Sequence, residues 1–150
     1  MHAFSLSAKD LSAEAPRSPR VRIGEYAILA RTLDKGRASL AGTLGEYLYG
    51  CPLDKKLFAF KGLTGHELNE LTALLAGGAD DGQIAAWLNT HGTPRTAEEV
   101  RAWSAAFEAE RPGRDGSAWF VSECLRLGLD PQQATTCDRM EEDDRQSFAK

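Results

Sequence analysis

Three helix starts follow one another between residues 64 and 99, and they constrain the fold more than any other feature of the chain. Thr64 with Glu67, Asp80 with Gln83 and Thr96 with Glu99 each set an N-cap side chain three residues before an acid or amide that can reach back, Asp80 being the looser version. The first helix runs to Ala76 with Leu68, Leu71 and Leu75 inward and Gly77 as its C-cap. The second buries Ile84, Trp87 and Leu88 and stops near Gly92. The third buries Val100, Trp103 and Phe107 and stops before Pro112.

Around this block the pattern stays helical. From about Gly24, Tyr26, Leu29, Ala30, Leu33, Leu40 and Leu44 recur at three- and four-residue steps, with Gly36 and Gly42 marking a kink or a close helix contact. The stretch "LGEYLYGCPLD" fits either a short strand or a continued helical face, and Gly50 with Pro52 ends it. A helical turn over Leu53 to Phe60 follows, ended by Gly62. Ser117 to Leu127 is apolar nearly all round, which predicts the central, most buried helix. Asp130 and Pro131 read as a new N-cap and first helical position, leading into a last polar helix or a frayed tail over residues 131–150. At the other end, "SAEAPRSPRVRIG" has two prolines within four residues and reads as an extended arm over residues 1–22, with Val21 and Ile23 to bury. The fold expected is a single all-α domain of five or six helices with the arm packed across it.

Charge is unevenly distributed. Residues 1–40 hold seven basic and four acidic groups, whereas residues 41–110 hold five and ten, so an anion would be met near the N-terminal segment. Placed at about 100° per residue with Arg31 at zero, Tyr26, Leu29, Leu33, Leu40 and Leu44 fall between roughly 160° and 220°, and Ala30 near 260°. Arg37 falls near 240°, inside the arc, with Asp34 on its rim near 300° and Arg31 and Lys35 on the opposite, solvated face at about 0° and 40°. A buried guanidinium needs a carboxylate or an anionic ligand, and Asp34, Glu46 and Asp54 are the acids nearest in sequence. The first reading is a structural salt bridge that fixes the first helix and the following turn; the alternatives are a break at Gly36 that turns Arg37 outward, and a candidate binding site that these residues form with Arg17 and Arg20 from the arm.

Other chemistries find less support. Hydrophobic residues at 42% and charged residues at 27% exclude a chain disordered throughout. No run reaches the length of a membrane span and the first residues are not signal-like, so a cytoplasmic protein without a membrane partner is expected. Cys51, Cys124 and Cys137 are odd in number and widely spaced, which predicts reduced thiols; Cys51, before Pro52, reads as an accessible thiol or, more commonly, a small buried hydrophobe. His2, His66 and His91 are far apart, so no metal or cofactor is expected. "DDGQIAAWLNTHGTPRTAEEVRAW" has the rhythm of a helix-turn-helix, but Glu98, Glu99, Glu108 and Glu110 oppose phosphate, and nucleic acid is set aside as a partner. No nucleophile elbow or phosphate loop is present.

The segments "PRSPR", "LARTLDKGRASLAGTLGEY" and "PLD", in that order, resemble the motifs of a family of small bacterial proteins classed only as a domain of unknown function. "DDGQIAAWL" and the terminal "DDRQSF" fit the same pattern, so the resemblance spans nearly the whole chain. It implies a cytosolic bacterial protein of this length and brings no activity, ligand or catalytic residue with it. The residues themselves point to a non-enzymatic binding or interaction protein that takes a small anionic ligand or a protein partner. The alternative is a small enzyme on an anionic metabolite, with Arg37 orienting it and Asp34 or Glu46 moving a proton.

Overall fold

The computed structural model describes residues 8–112 and 118–149, so residues 1–7 of the arm and the Ser117 helix start lie outside the described residues. Seven helices are present among them: α1 Leu29–Ala41, α2 Pro52–Phe60, α3 Gly65–Ala76, α4 Asp81–Asn89, α5 Ala97–Ala109, α6 Ala118–Leu127 and α7 Thr136–Ser147. The count exceeds the five or six expected because both the short Pro52 segment and the polar C-terminal segment form full helices.

All three predicted capping boxes are formed, at the starts of α3, α4 and α5. A fourth, Thr135 with Asp138, opens α7: the Thr135 hydroxyl accepts from the Asp138 amide at 2.9 Å, and the Asp138 carboxylate accepts from the Thr135 amide at 2.9 Å. Asp130 is therefore not the cap. Its side chain closes a turn by accepting from the Gln132 amide.

The first helix begins five residues later than the periodicity suggests. Glu25 and Ile28 both have positive φ, and the intervening chain is folded back on itself by an isolated bridge between Ile23 and Tyr26. Ser104 of α5 holds this turn, donating to the Glu25 carbonyl at 2.8 Å and accepting from the Ala27 amide at 2.9 Å. The far end stops at Gly42, whose left-handed backbone caps α1, so Leu40 is left exposed and Leu44 lies beyond the helix. The segment 44–50 is neither strand nor helix but a pair of turns. A Cβ at Gly45 would sit 2.7 Å from the Leu11 carbonyl oxygen, so the arm lies directly against this loop.

Every residue of α1 from Leu29 to Ala38 is buried, which makes α1, not α6, the central helix. It packs on α3 and α2. Gly36 is the close contact: a Cβ there would lie 2.8 Å from Leu75 Cδ1 and 3.2 Å from a Tyr49 ring carbon. The main core gathers Tyr26, Ile28, Leu33, Leu57, Leu71, Leu75, Ile84, Leu88 and Val100. The α6 helix sits outside it, packed on α7 through a small second cluster of Phe120, Cys124 and Ala134. Its Trp119 and Leu125 are 59% and 66% exposed. The arm is anchored by Leu11 and Pro19, which are fully buried, while Val21 is exposed. No helix among the described residues is long and apolar enough to cross a membrane.

Candidate functional site

The four charges of α1 are all buried, and each has found a carboxylate or a cation elsewhere in the chain. Arg31 and Lys35 are only 5% and 3% exposed, against the expectation that their face is solvated. α7 and α2 bring acids to that face, and the 43–51 loop brings Tyr47 and Cys51. Arg31 meets Asp144 of α7 at 2.7 Å, and Tyr47 donates to the same carboxylate at 2.6 Å. Lys35 meets Asp54 of α2 at 2.8 Å and donates to the Cys51 sulfur at 3.2 Å. Asp54 is wholly enclosed and fully used, accepting also from Thr32 Oγ1 at 2.7 Å and from the Gly50 and Cys51 amides. A buried acid with this many donors holds the turn before α2 and the Lys35 side chain in one arrangement.

Arg37 is buried as predicted, at 5% exposure, but none of the three acids proposed for it is its partner. It donates to Asp81 at the start of α4 at 2.9 Å and to the Ala79 carbonyl at 3.1 Å. Asp34 accepts instead from the Arg17 backbone and guanidinium, and Arg17 also reaches Asp81 at 2.8 Å. Arg17, Asp34, Arg37 and Asp81 thus form one network that fastens the arm across α1 and α4. Burial alone would raise the Asp81 carboxyl, but the hydrogen bonds and charges of Arg17 and Arg37 outweigh it and hold it below the ordinary carboxylate range. Arg20 is elsewhere, paired with Asp138 at 2.8 Å and with Glu141. Arg22 pairs with Glu108 at 2.7 Å. Apart from Lys9, which meets Glu14 within the arm, each basic residue of the first quarter therefore meets an acid of a helix.

Beside Arg31 and Lys35 lies a cavity of about 690 Å³, bounded by α1, α2, the 43–51 loop, α6 and α7. Leu53, Trp119, Phe120, Met140 and Phe148 give it an apolar body, and Arg31, Lys35, Tyr47 and Cys51 give it a polar floor. Arg139, Glu46 and Asp143 complete the charged lining, so cations outnumber carboxylates. Arg31 and Lys35 are part of the described wall, whereas their carboxylate partners Asp144 and Asp54 are not. The Arg31 Nε is buried with no hydrogen-bond partner. The Arg139 guanidinium lies 4.9 Å from the Trp119 ring centroid, which steadies that side of the wall. Burial, then the hydrogen bond to Asp144, push the Tyr47 hydroxyl well above its usual range, so it serves as a donor.

Of the residues selected from sequence, Glu46 lines the cavity and Asp54 supports it from behind, while Asp34, Arg37 and Arg17 form the separate α4 network and Arg20 a third contact. Arg31, Lys35 and Tyr47 were missed, and Cys51, weighed from sequence as an accessible thiol or a small buried hydrophobe, was not placed with them. The available signal was the i, i+4 spacing of Arg31 and Lys35, which puts both on one helical face. Among the described residues, no cluster of three or more histidines, cysteines and acids could hold a metal ion.

A size of several hundred cubic ångströms, an apolar body and a few convergent polar groups are the usual attributes of a small-molecule site. No curated protein matches the chain in sequence. The profile of one family does match, over residues 13–146, a span that takes in the arm from residue 13 on, the cavity floor and Asp144. The chain accordingly belongs to the family described as a domain of unknown function, DUF5069.

Proposed function

We propose that the protein binds a small amphipathic anion in the cavity between α1, α2, α6 and α7. One observation carries the reading: Arg31 and Lys35 are buried charges that line an apolar space while their carboxylates lie outside it. Pairs made only for stability have no need of an adjoining void, and ion pairing in a protein interior gives little net stabilisation over apolar packing. A void lined by apolar side chains on one side and by cations on the other suits a ligand with a hydrophobic body and an acidic head. The ligand is placed here and not at Arg37, because Arg31 and Lys35 line the cavity and Arg37 does not. Three free thiols and the family resemblance together support a bacterial, cytoplasmic protein.

Native mass spectrometry of the protein, purified gently from the organism that makes it, tests the proposal. A reproducible extra mass is expected on the wild type and on Arg37→Met. It is lost on Ser147→Trp, which places a large ring at an exposed position of the cavity rim. A bare wild-type mass, or an adduct that survives Ser147→Trp and vanishes with Arg37→Met, would overturn the reading.

A further inference from the structure

The polar floor of the cavity holds a grouping that ligand binding alone does not require. Cys51 lines the space, at the N-cap of α2, and its sulfur accepts a hydrogen bond from the Lys35 ammonium at 3.2 Å. Lys35 is in turn fixed by Asp54 at 2.8 Å, and Asp54 by Thr32 and two backbone amides. A nucleophile, a cation that can match its charge, and an acid that orients the cation thus stand in sequence, the arrangement by which proteins activate a weak nucleophile. The other thiols differ. Cys124 and Cys137 are both fully buried, and neither lines the cavity. Arg31, in the same wall, keeps an unpartnered Nε.

We infer that Cys51 is the nucleophile of an acyl-transfer site, and that the cavity admits an activated acyl group, an ester or thioester, with an apolar chain. This rests on the cavity being the ligand site. In the step, the Cys51 sulfur attacks the carbonyl carbon, its proton passing to solvent. A carbon–sulfur bond forms, the bond from the carbonyl carbon to the leaving oxygen or sulfur breaks, and the leaving group departs with that electron pair. No electron is gained or lost. Lys35 meets the charge on sulfur before attack, and Leu53, Met140 and Phe148 receive the chain.

The test uses the full chain with p-nitrophenyl acetate and p-nitrophenyl hexanoate, read as a burst of p-nitrophenolate and as intact and peptide mass. The expected result is one acyl group per chain, on Cys51, formed about tenfold or more faster from the hexanoyl than from the acetyl ester because the extra methylenes are buried. Cys51→Ser removes the burst; serine is a good N-cap, so the fold is kept. Ser147→Trp, which narrows the cavity rim, slows the hexanoyl ester by a larger factor than the acetyl ester. Equal rates for the two esters, acylation spread over surface lysines, or a burst that survives in Cys51→Ser would overturn the inference. Calorimetric titration with decanoate separates the two levels. Decanoate bound without Cys51 acylation removes the nucleophile and keeps the binding site, whereas failure of both removes the binding site as well.

Discussion

The α1 and α6 helices invert what their compositions suggest. α1 carries Arg31, Asp34, Lys35 and Arg37 and yet is buried without a break from Leu29 to Ala38, whereas α6, with Trp119, Phe120, Val121 and Leu125 in succession, lies at the edge with two large side chains in solvent. The difference is one of available partners. The charges of α1 meet Asp144, Arg17, Asp54 and Asp81, each delivered by a different part of the chain, so the helix is enclosed on every side. Among the described residues α6 packs chiefly on α7 and beside the cavity, and it buries one face. Burial here follows from who surrounds a helix, and hydropathy records only what burial costs.

If that is right, the largest effect comes from stripping a partner away from α1. Asp54→Ala leaves the Lys35 ammonium buried beside Cys51 with no acid, and removes the acceptor used by Thr32, Gly50 and Cys51. A loss of about 3 to 5 kcal/mol in urea unfolding is expected. A change below about 1 kcal/mol would mean that α1 is not held by its ion pairs.

Gly36 tests the enclosure itself. Alanine favours the helix by about 1 kcal/mol, but its methyl would press on Leu75 and Tyr49 in the core, an overpacking cost of about 1 to 3 kcal/mol. A net loss of about 1 kcal/mol is expected; a gain would mean that the α1–α3 contact is loose.

The Arg17–Asp81–Arg37 network should show in acid. Asp81 is held below its ordinary value when folded, so the unfolded chain takes up its proton first. Stability from this group is complete above the unfolded carboxylate pKa of about 4 and is lost as pH falls through the folded value. Asp81→Asn should therefore flatten the stability profile below about pH 4 and leave its shape between pH 5 and 7 unaltered. The smallest effect belongs to α6: Leu125→Asn, at a site 66% exposed, should change stability by no more than about 0.5 kcal/mol. A large loss there would show that α6 is covered in solution.

What could be read from sequence was what is local. A capping box joins a side chain to a backbone three residues away, so Thr64, Asp80 and Thr96 announced their helices. Thr135 carried the same signal with an aspartate in place of glutamate or glutamine. Arg37 could be placed inside by angle alone. Its partner could not, because Asp81 is 44 residues away, while the nearer Asp34 and Asp54 pair with Arg17 and Lys35. Arg31 was assigned to the surface for the same reason: the helix wheel shows which residues share a face, and the Asp144 that closes over it is 113 residues distant. The cavity is further still from the reach of a local pattern, since it is the space left between four helices and a loop.

The most direct measurement is calorimetric titration of decanoate, an apolar chain with an acidic head, into the wild type, Ser147→Trp and Leu125→Asn. Saturable one-to-one binding to the wild type and to Leu125→Asn, abolished in Ser147→Trp, is the result predicted if the floor of Arg31 and Lys35 is the site. Binding that survives Ser147→Trp and is lost in Leu125→Asn would place the ligand on the outer face of α6 and contradict it.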